Sequence, residues 1–184
     1  DLCICIGAGG LGGYGVQVAG AMGATVIAID IDDDRLNKLK DHGATYTINS
    51  RDKDARTVQK EVRGLVKSEK LPRYGWKVFE TSGTGIGQET AFSLLSFAGT
   101  LAVVGFTMEK VKVRLSNLMA FDADAFGTWG CVPEYYDNCV QMALDEKIHL
   151  RPFSSRHPLT QINEIIEKAR NHQLETRAIL EPDF

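Results

Sequence analysis

The sequence predicts an α/β fold, a doubly wound parallel sheet with helices on both faces, and three observations carry that reading. Short, unbroken apolar runs rich in Val and Ile recur along the chain, segments of helical spacing separate them, and a glycine cluster follows the first run. Strands covered on both faces read as continuous apolar runs, and regular strand–helix alternation with short connections makes them parallel.

Leu2–Ile6 is the first such run. From Gly10 onward, Leu11, Tyr14, Val18 and Met22 recur at three- and four-residue spacing and predict a helix. Residues 25–29 form a second β-branched run. Asp32, Asp33 and Asp34 then supply carboxylates for the first turn of a helix that carries Leu36 and Leu39 and ends at Gly43. A strand over 46–48 and a helix from about Asp54, with Ala55, Val58, Val62 and Leu65 on one face, come next, followed by a polar loop over 67–74. Lys77–Glu80 and 100–104 are strands, separated by a helix whose Ala91, Leu94 and Leu95 face inward. Beyond Gly105 the pattern loosens into a charged strand at 111–113, a short helix near 115–120 and a strand at 123–129. Pro133 opens a helix through Leu144, as proline in a first helical turn does. Thr160 begins a last helix holding Ile162, Ile165 and Ile166, and 177–180 is the closing strand.

With 184 residues, 43% hydrophobic and 24% charged, the chain can bury a full-sized core, which excludes a disordered tail or a disulfide-stapled miniprotein. No apolar run approaches the roughly 20 residues that span a bilayer. A net charge of -3 lacks the basic excess typical of nucleic-acid or anionic-membrane binding, so neither is expected as a partner. The four cysteines, Cys3, Cys5, Cys131 and Cys139, form no paired knuckles. Cys3 and Cys5 are expected to pack as small hydrophobes in the first strand, and the absence of a signal peptide fits a reducing cytoplasm. His42, His149, His157 and His172 lack metal-ligand spacing and read as surface or capping residues. Because the sequence opens inside a strand without a start methionine, a piece of a longer polypeptide is expected.

The motif with chemical content is Gly7-Ala8-Gly9-Gly10-Leu11-Gly12, a G-x-G-x-x-G between a buried strand and a helix. In that context Gly7 allows the tight turn, Gly9 lets the backbone approach a pyrophosphate and Gly12 permits close helix packing, while the helix N-terminus offers free N–H groups to the anion. The sheet is therefore of the Rossmann type. Asp30, 18 residues beyond Gly12 at the end of the second strand, is placed to accept from both adenosine ribose hydroxyls, which favours NAD and repels a 2′-phosphate. Asp32, Asp33 and Asp34 read more simply as helix-capping acids.

On this loop, together with Val26-Ile27-Ala28-Ile29-Asp30, Phe79-Glu80-Thr81-Ser82-Gly83, Val103-Val104-Gly105-Phe106 and Thr176-Arg177-Ala178-Ile179-Leu180, the sequence resembles the cofactor-binding half of zinc-dependent medium-chain alcohol dehydrogenases. The resemblance implies that the Gly10 and Leu11 amides meet the pyrophosphate, that Asp30 and Arg35 hold the ribose, and that Arg177 reaches the phosphates. It implies that Val104, Trp129 and Cys131 offer backbone groups to the nicotinamide carboxamide and that Leu11 and Phe106 pack near the ring, with Ser82 and Gly105 completing the site. It further implies a division into a dinucleotide-binding domain, 1–131, and a C-terminal part, 132–184, that joins a catalytic domain upstream of the glycine loop. The family's zinc ligands and proton relay belong to that upstream half, so zinc is expected there and no catalytic residue is expected here.

Within the family, the stretches around Glu80, Val104 and Arg114 look most like the 6-hydroxycyclohex-1-ene-1-carbonyl-CoA dehydrogenase type, which uses NAD to oxidise a ring alcohol on a CoA thioester in anaerobic benzoate degradation. Other NAD-dependent secondary-alcohol or polyol dehydrogenases, and a non-catalytic NAD-sensing module, are the competing readings. Lys110, Lys112 and Arg114, alternating with Val111 and Val113, either meet CoA phosphates or protect an edge strand from unwanted pairing. The resemblance also implies a homodimer or tetramer joined through the edge strand 123–129, with Leu118 and Met119 at the seam. The alternative is an edge covered by the helix from Pro133.

Overall fold

A computed structural model describes residues 1–171 and 173–183; His172, included above among the histidines, lies outside them. Six parallel strands, β1 (Leu2–Ile6), β2 (Thr25–Asp30), β3 (Tyr46–Asn49), β4 (Lys77–Glu80), β5 (Thr100–Val103) and β6 (Asp124–Gly127), form one sheet in the order β3-β2-β1-β4-β5-β6. The order reverses between β1 and β4, so the crevice above the carboxyl ends of those two strands is where a ligand belongs in an open α/β sheet.

Each face of β1 feeds a different core. Leu2, Ile4 and Ile6 pack with Val58, Val62 and Val66 of α3 (Ala55–Ser68) and with Ala91 and Phe92 of α4 (Gly85–Ser93). On the other face Cys3 and Cys5 meet Val16 of α1 (Gly12–Ala21) and Leu36 and Leu39 of α2 (Asp33–Lys40). Both cysteines are buried free thiols, as their place in the strand predicts. The caps are as chemical as the cores. The Asp32 carboxylate accepts from the Asp34 and Arg35 amides at the start of α2, and Asp54 accepts from the Thr57 amide at the start of α3.

Three expectations change. The stripe Leu11, Tyr14, Val18, Met22 is not the inner face of α1; Gly12, Gly13, Val16 and Gln17 are, while Leu11 and Met22 are exposed. Small residues let this helix approach the sheet closely, and closeness rather than apolar bulk decides which face turns in. No strand forms at 111–113; the segment is extended without a ladder, although Val111 and Val113 still turn inward and Lys110, Lys112 and Arg114 outward. The last strand of the sheet covers Asp124–Gly127, shorter than 123–129.

After α5 (Ser116–Ala120) and β6, a 3-10 turn at Pro133–Tyr135 leads into α6 (Tyr136–Leu144). A second, two-stranded parallel sheet pairs β7 (Ser154–Pro158) with β8 (Arg177–Glu181) around α7 (Ile162–Arg170). β7 was not expected: Ser154-Ser155-Arg156-His157-Pro158 has no apolar run to announce it. The link between the two sheets returns to α1. Gln17, 2% exposed, accepts from the His149 amide at 2.6 Å and donates to the His149 carbonyl at 3.4 Å, while Phe153 fills a slot beside Tyr14 and His42.

Candidate dinucleotide site

The glycine loop is shaped by what it cannot hold. Gly7 has φ of 88°, and a Cβ there would stand 2.6 Å from the Ser82 backbone; a Cβ on Gly12 would stand 1.8 Å from the Gly7 carbonyl oxygen. Neither position admits a side chain. Gly9 and Gly10 are different, since the nearest atoms to an added Cβ belong to two guanidinium side chains, Arg35 Nη1 at 3.9 Å and Arg177 Cβ at 3.7 Å. The open stretch of the loop is thus flanked by two cations. No side chain caps the N-terminus of α1, and although the Gly13 amide donates to the Gly9 carbonyl at 2.8 Å, the helix start remains suited to an anion. Asp30, Arg35 and Arg177 therefore converge with the loop, although Arg177 is 147 positions from Asp30 and lies on the second sheet.

Asp30 is buried at the tip of β2. One carboxylate oxygen accepts from the Ala8 amide at 2.5 Å, the other from the Asp32 amide at 3.0 Å. The same acid that is positioned for a ribose therefore also holds the glycine loop in shape. Each oxygen retains a lone pair for a further donor. Arg35 lies 3.9 Å from Asp30 and donates to the Leu174 carbonyl at 3.2 Å, bracing the second sheet against the loop.

The opposite wall hangs on Glu80, fully buried at the end of β4. One of its oxygens accepts from the Ser82 amide at 2.8 Å, the Ser82 hydroxyl at 2.5 Å and the Gly83 amide at 3.2 Å. A Cβ on Gly105 would lie 2.6 Å from its other oxygen, and the Glu80 carbonyl accepts from both the Val104 and Gly105 amides at 2.9 Å. Ser82 thus spends its hydroxyl within the wall, and Val104 retains only its carbonyl to offer a ligand. Phe106 and Trp129 meet edge to face with centroids 6.5 Å apart, both well exposed at the mouth, and Cys131 lies exposed beyond them.

Glu80 has no role in the sequence reading, although it sits inside a quoted motif. A lone acid at the tip of an apolar strand was the available signal. Thr81 was missed as well; its hydroxyl sits 2.9 and 2.8 Å from the Ile6 and Gly7 carbonyls, tying β4 to the glycine turn. Among the described residues no group of three or more His, Cys, Asp or Glu side chains could hold a metal. His42 caps α2 through the Lys38 carbonyl, His149 is exposed, and His157 pairs with the Ser155 hydroxyl at 2.9 Å.

Comparison with known proteins agrees with this geometry. Residues 10–145 match the zinc-binding dehydrogenase family. An alcohol dehydrogenase of Moraxella sp. (strain TAE123) is 31% identical over 182 residues, covering 98% of this chain and 50% of that protein. The D-xylulose reductase of Saccharomyces cerevisiae is 25% identical over 182 residues, with 90% and 50% covered. The crystal structure of an alcohol dehydrogenase from Aeropyrum pernix superimposes with a TM-score of 0.83 at 24% identity, covering 98% of this chain and 50% of that one, and shares the fold. The chain spans about half the length of the curated relatives it matches. A parallel sheet whose glycine crevice is walled by buried acids, and a family match across most of its length, lead to one conclusion: the chain belongs to the zinc-binding dehydrogenases.

Proposed function

We propose that this chain binds NAD across the crevice as the cofactor-binding half of an alcohol dehydrogenase. The observation that carries the reading is the juxtaposition of Asp30 with Gly9, Gly10, Arg35 and Arg177, an acid for ribose hydroxyls beside an open backbone and two cations for a pyrophosphate. On this reading Leu11 and Phe106 pack near the nicotinamide ring, and Val104, through its carbonyl, Trp129 and Cys131 offer backbone groups to the carboxamide. NAD when bound supplies the hydride acceptor for oxidation of an alcohol. Zinc, which the family's name implies, would on this reading be held by a part of the protein outside this chain, since among the described residues no group of His, Cys, Asp or Glu is placed to hold it. On the same reading the chain divides into the dinucleotide domain 1–131 and a return segment 132–184, in the cytoplasm.

The substrate follows from the resemblance rather than from the crevice. A secondary alcohol on an alicyclic CoA thioester is supported by the exposed Lys110, Lys112 and Arg114, whose charges face outward on an extended segment. The likeness to a D-xylulose reductase supports a polyol instead. Calorimetric titration of the chain tests the cofactor reading: NAD is expected to bind and NADP to bind far more weakly. Equal affinities, or none, would overturn it. Initial rates of the intact enzyme on a hydroxyacyl-CoA, the free hydroxy acid and a polyol then separate the substrates.

Assembly has its own support. In β6 the Asp124 amide donates to Gly99 and the Thr128 amide to Val103. Alternation therefore turns the Ala125 and Gly127 amides outward, away from β5. All four residues of β6 are exposed, as are Leu115, Met119 and Trp129 nearby. We read this edge as the seam of a two-fold homodimer that joins two sheets.

A further inference from the structure

A hollow of about 950 Å³ opens at the amino ends of β4 and β5, the opposite end of the sheet from the glycine crevice. Its floor is apolar and firmly held. Trp76 is 3% exposed, with its indole N–H donated to the Pro72 carbonyl at 2.7 Å and its amide to the Ser96 hydroxyl at 3.1 Å, and Leu95 is buried beside it. Tyr74 and Phe97 stand at the rim, 67% and 51% exposed, edge to face with centroids 6.3 Å apart. Two open aromatic edges above a buried indole make a concave apolar surface of a size usual for small-molecule sites.

The charge around it is of one sign. Arg63, Lys67 and Arg73 line the hollow and no acid does, in a chain whose net charge is -3. Among the described residues none of the three has a carboxylate within 4.0 Å, although seven other ion pairs form. Lys67 lies in the last turn of α3 and complements that helix end; Arg63, one turn earlier, and Arg73, in the loop before β4, have no such partner. Cations grouped at an apolar, low-dielectric wall concentrate the potential felt by an incoming anion.

We propose that this hollow is a second ligand site, taking a small carboxylate or phosphate carried on an aliphatic or aromatic body. The head group pairs with Arg63, Lys67 and Arg73, and the body lies on Trp76 between Tyr74 and Phe97. The site is independent of the dinucleotide reading, because no lining residue belongs to the glycine crevice.

Amide NMR of the chain, titrated separately with decanoate, phenyl phosphate, decanol and inorganic phosphate, tests it. Decanoate or phenyl phosphate is expected to shift the Gly75, Phe97 and Ala98 resonances saturably while Gly9–Gly12 stay unmoved, and whichever binds tighter identifies the body and head group preferred. The exposed double substitution Arg63→Gln/Arg73→Gln should weaken that binding about tenfold or more, as loss of charge-assisted hydrogen bonds does. Saturating NAD should leave it unchanged. The proposal is overturned if neither anion moves these resonances, if decanol or inorganic phosphate alone moves them as strongly, or if NAD displaces the probe.

Discussion

β1 and β6 lie in one parallel sheet and are built from opposite materials. All five residues of β1 are buried, and its two faces feed two cores; all four residues of β6 are exposed, and among the described residues one of its edges has no partner strand. The contrast teaches that strand position, not strand pattern, sets what a residue is worth here. Leu-Cys-Ile-Cys-Ile is apolar because both faces are covered. Asp-Ala-Phe-Gly is a ladder to one side and an open row of amides to the other.

The largest expected difference is in stability. Ile4→Ala should lower the unfolding free energy by about 2–5 kcal/mol, through lost transfer energy and a cavity between helix layers. Phe126→Ala should change it by no more than about 0.5 kcal/mol in the monomer. Urea denaturation of both variants compares them, and similar losses would break the contrast. Next comes the site that β2 carries beside β1. Asp30→Ala should weaken NAD binding by about 1.5–3 kcal/mol and narrow the preference over NADP, because it removes a charge-assisted acceptor and relaxes the Ala8 amide. Unchanged affinity in calorimetry would refute the ribose assignment.

Ala125→Pro removes an outward amide of β6 and leaves the bonds to β5 intact, so light scattering is expected to report a folded monomer for the variant and, on the proposed seam, a dimer for the parent chain. A parent chain already monomeric at high concentration would reject the seam. The smallest effect is chemical. Burial pushes the Cys5 thiol up to about 12 and raises that of Cys3, so both keep their protons near neutrality. Iodoacetamide followed by mass spectrometry should label the exposed Cys131 and Cys139 and spare the two on β1. Labelling of Cys5 in the native chain would mean that β1 opens.

β1 and β2 were legible because burial on both faces writes itself as apolar runs, and glycine turns punctuate them, whereas the exposed β6 showed only an alternation of apolar and polar residues. The motif residues of the crevice were legible for the same reason: Gly7 and Gly12 are forced by contacts that any such turn makes. What escaped notice was set by contacts from afar. Gln17 faces the core because His149 satisfies it, Leu11 and Met22 stay exposed because glycines give closer packing on another face, and β7 exists because β8 pairs with it. Glu80 was hidden by its ordinariness, an acid at a strand end whose burial depends on three loops meeting around it.

The clasp between Gln17 and His149 also sets a timetable. The two residues are separated by 132 positions, and chains dominated by such distant contacts fold slowly. On a ribosome, α1 emerges well before His149 and Phe153, with an amide destined for the interior and an open slot for that ring. Until residues 149–153 arrive, that amide must stay in water, since burying it unpaired would cost about 1–3 kcal/mol. α1 is therefore among the last elements of this sheet to reach its final packing, and the face of β1 that it covers stays wet until then.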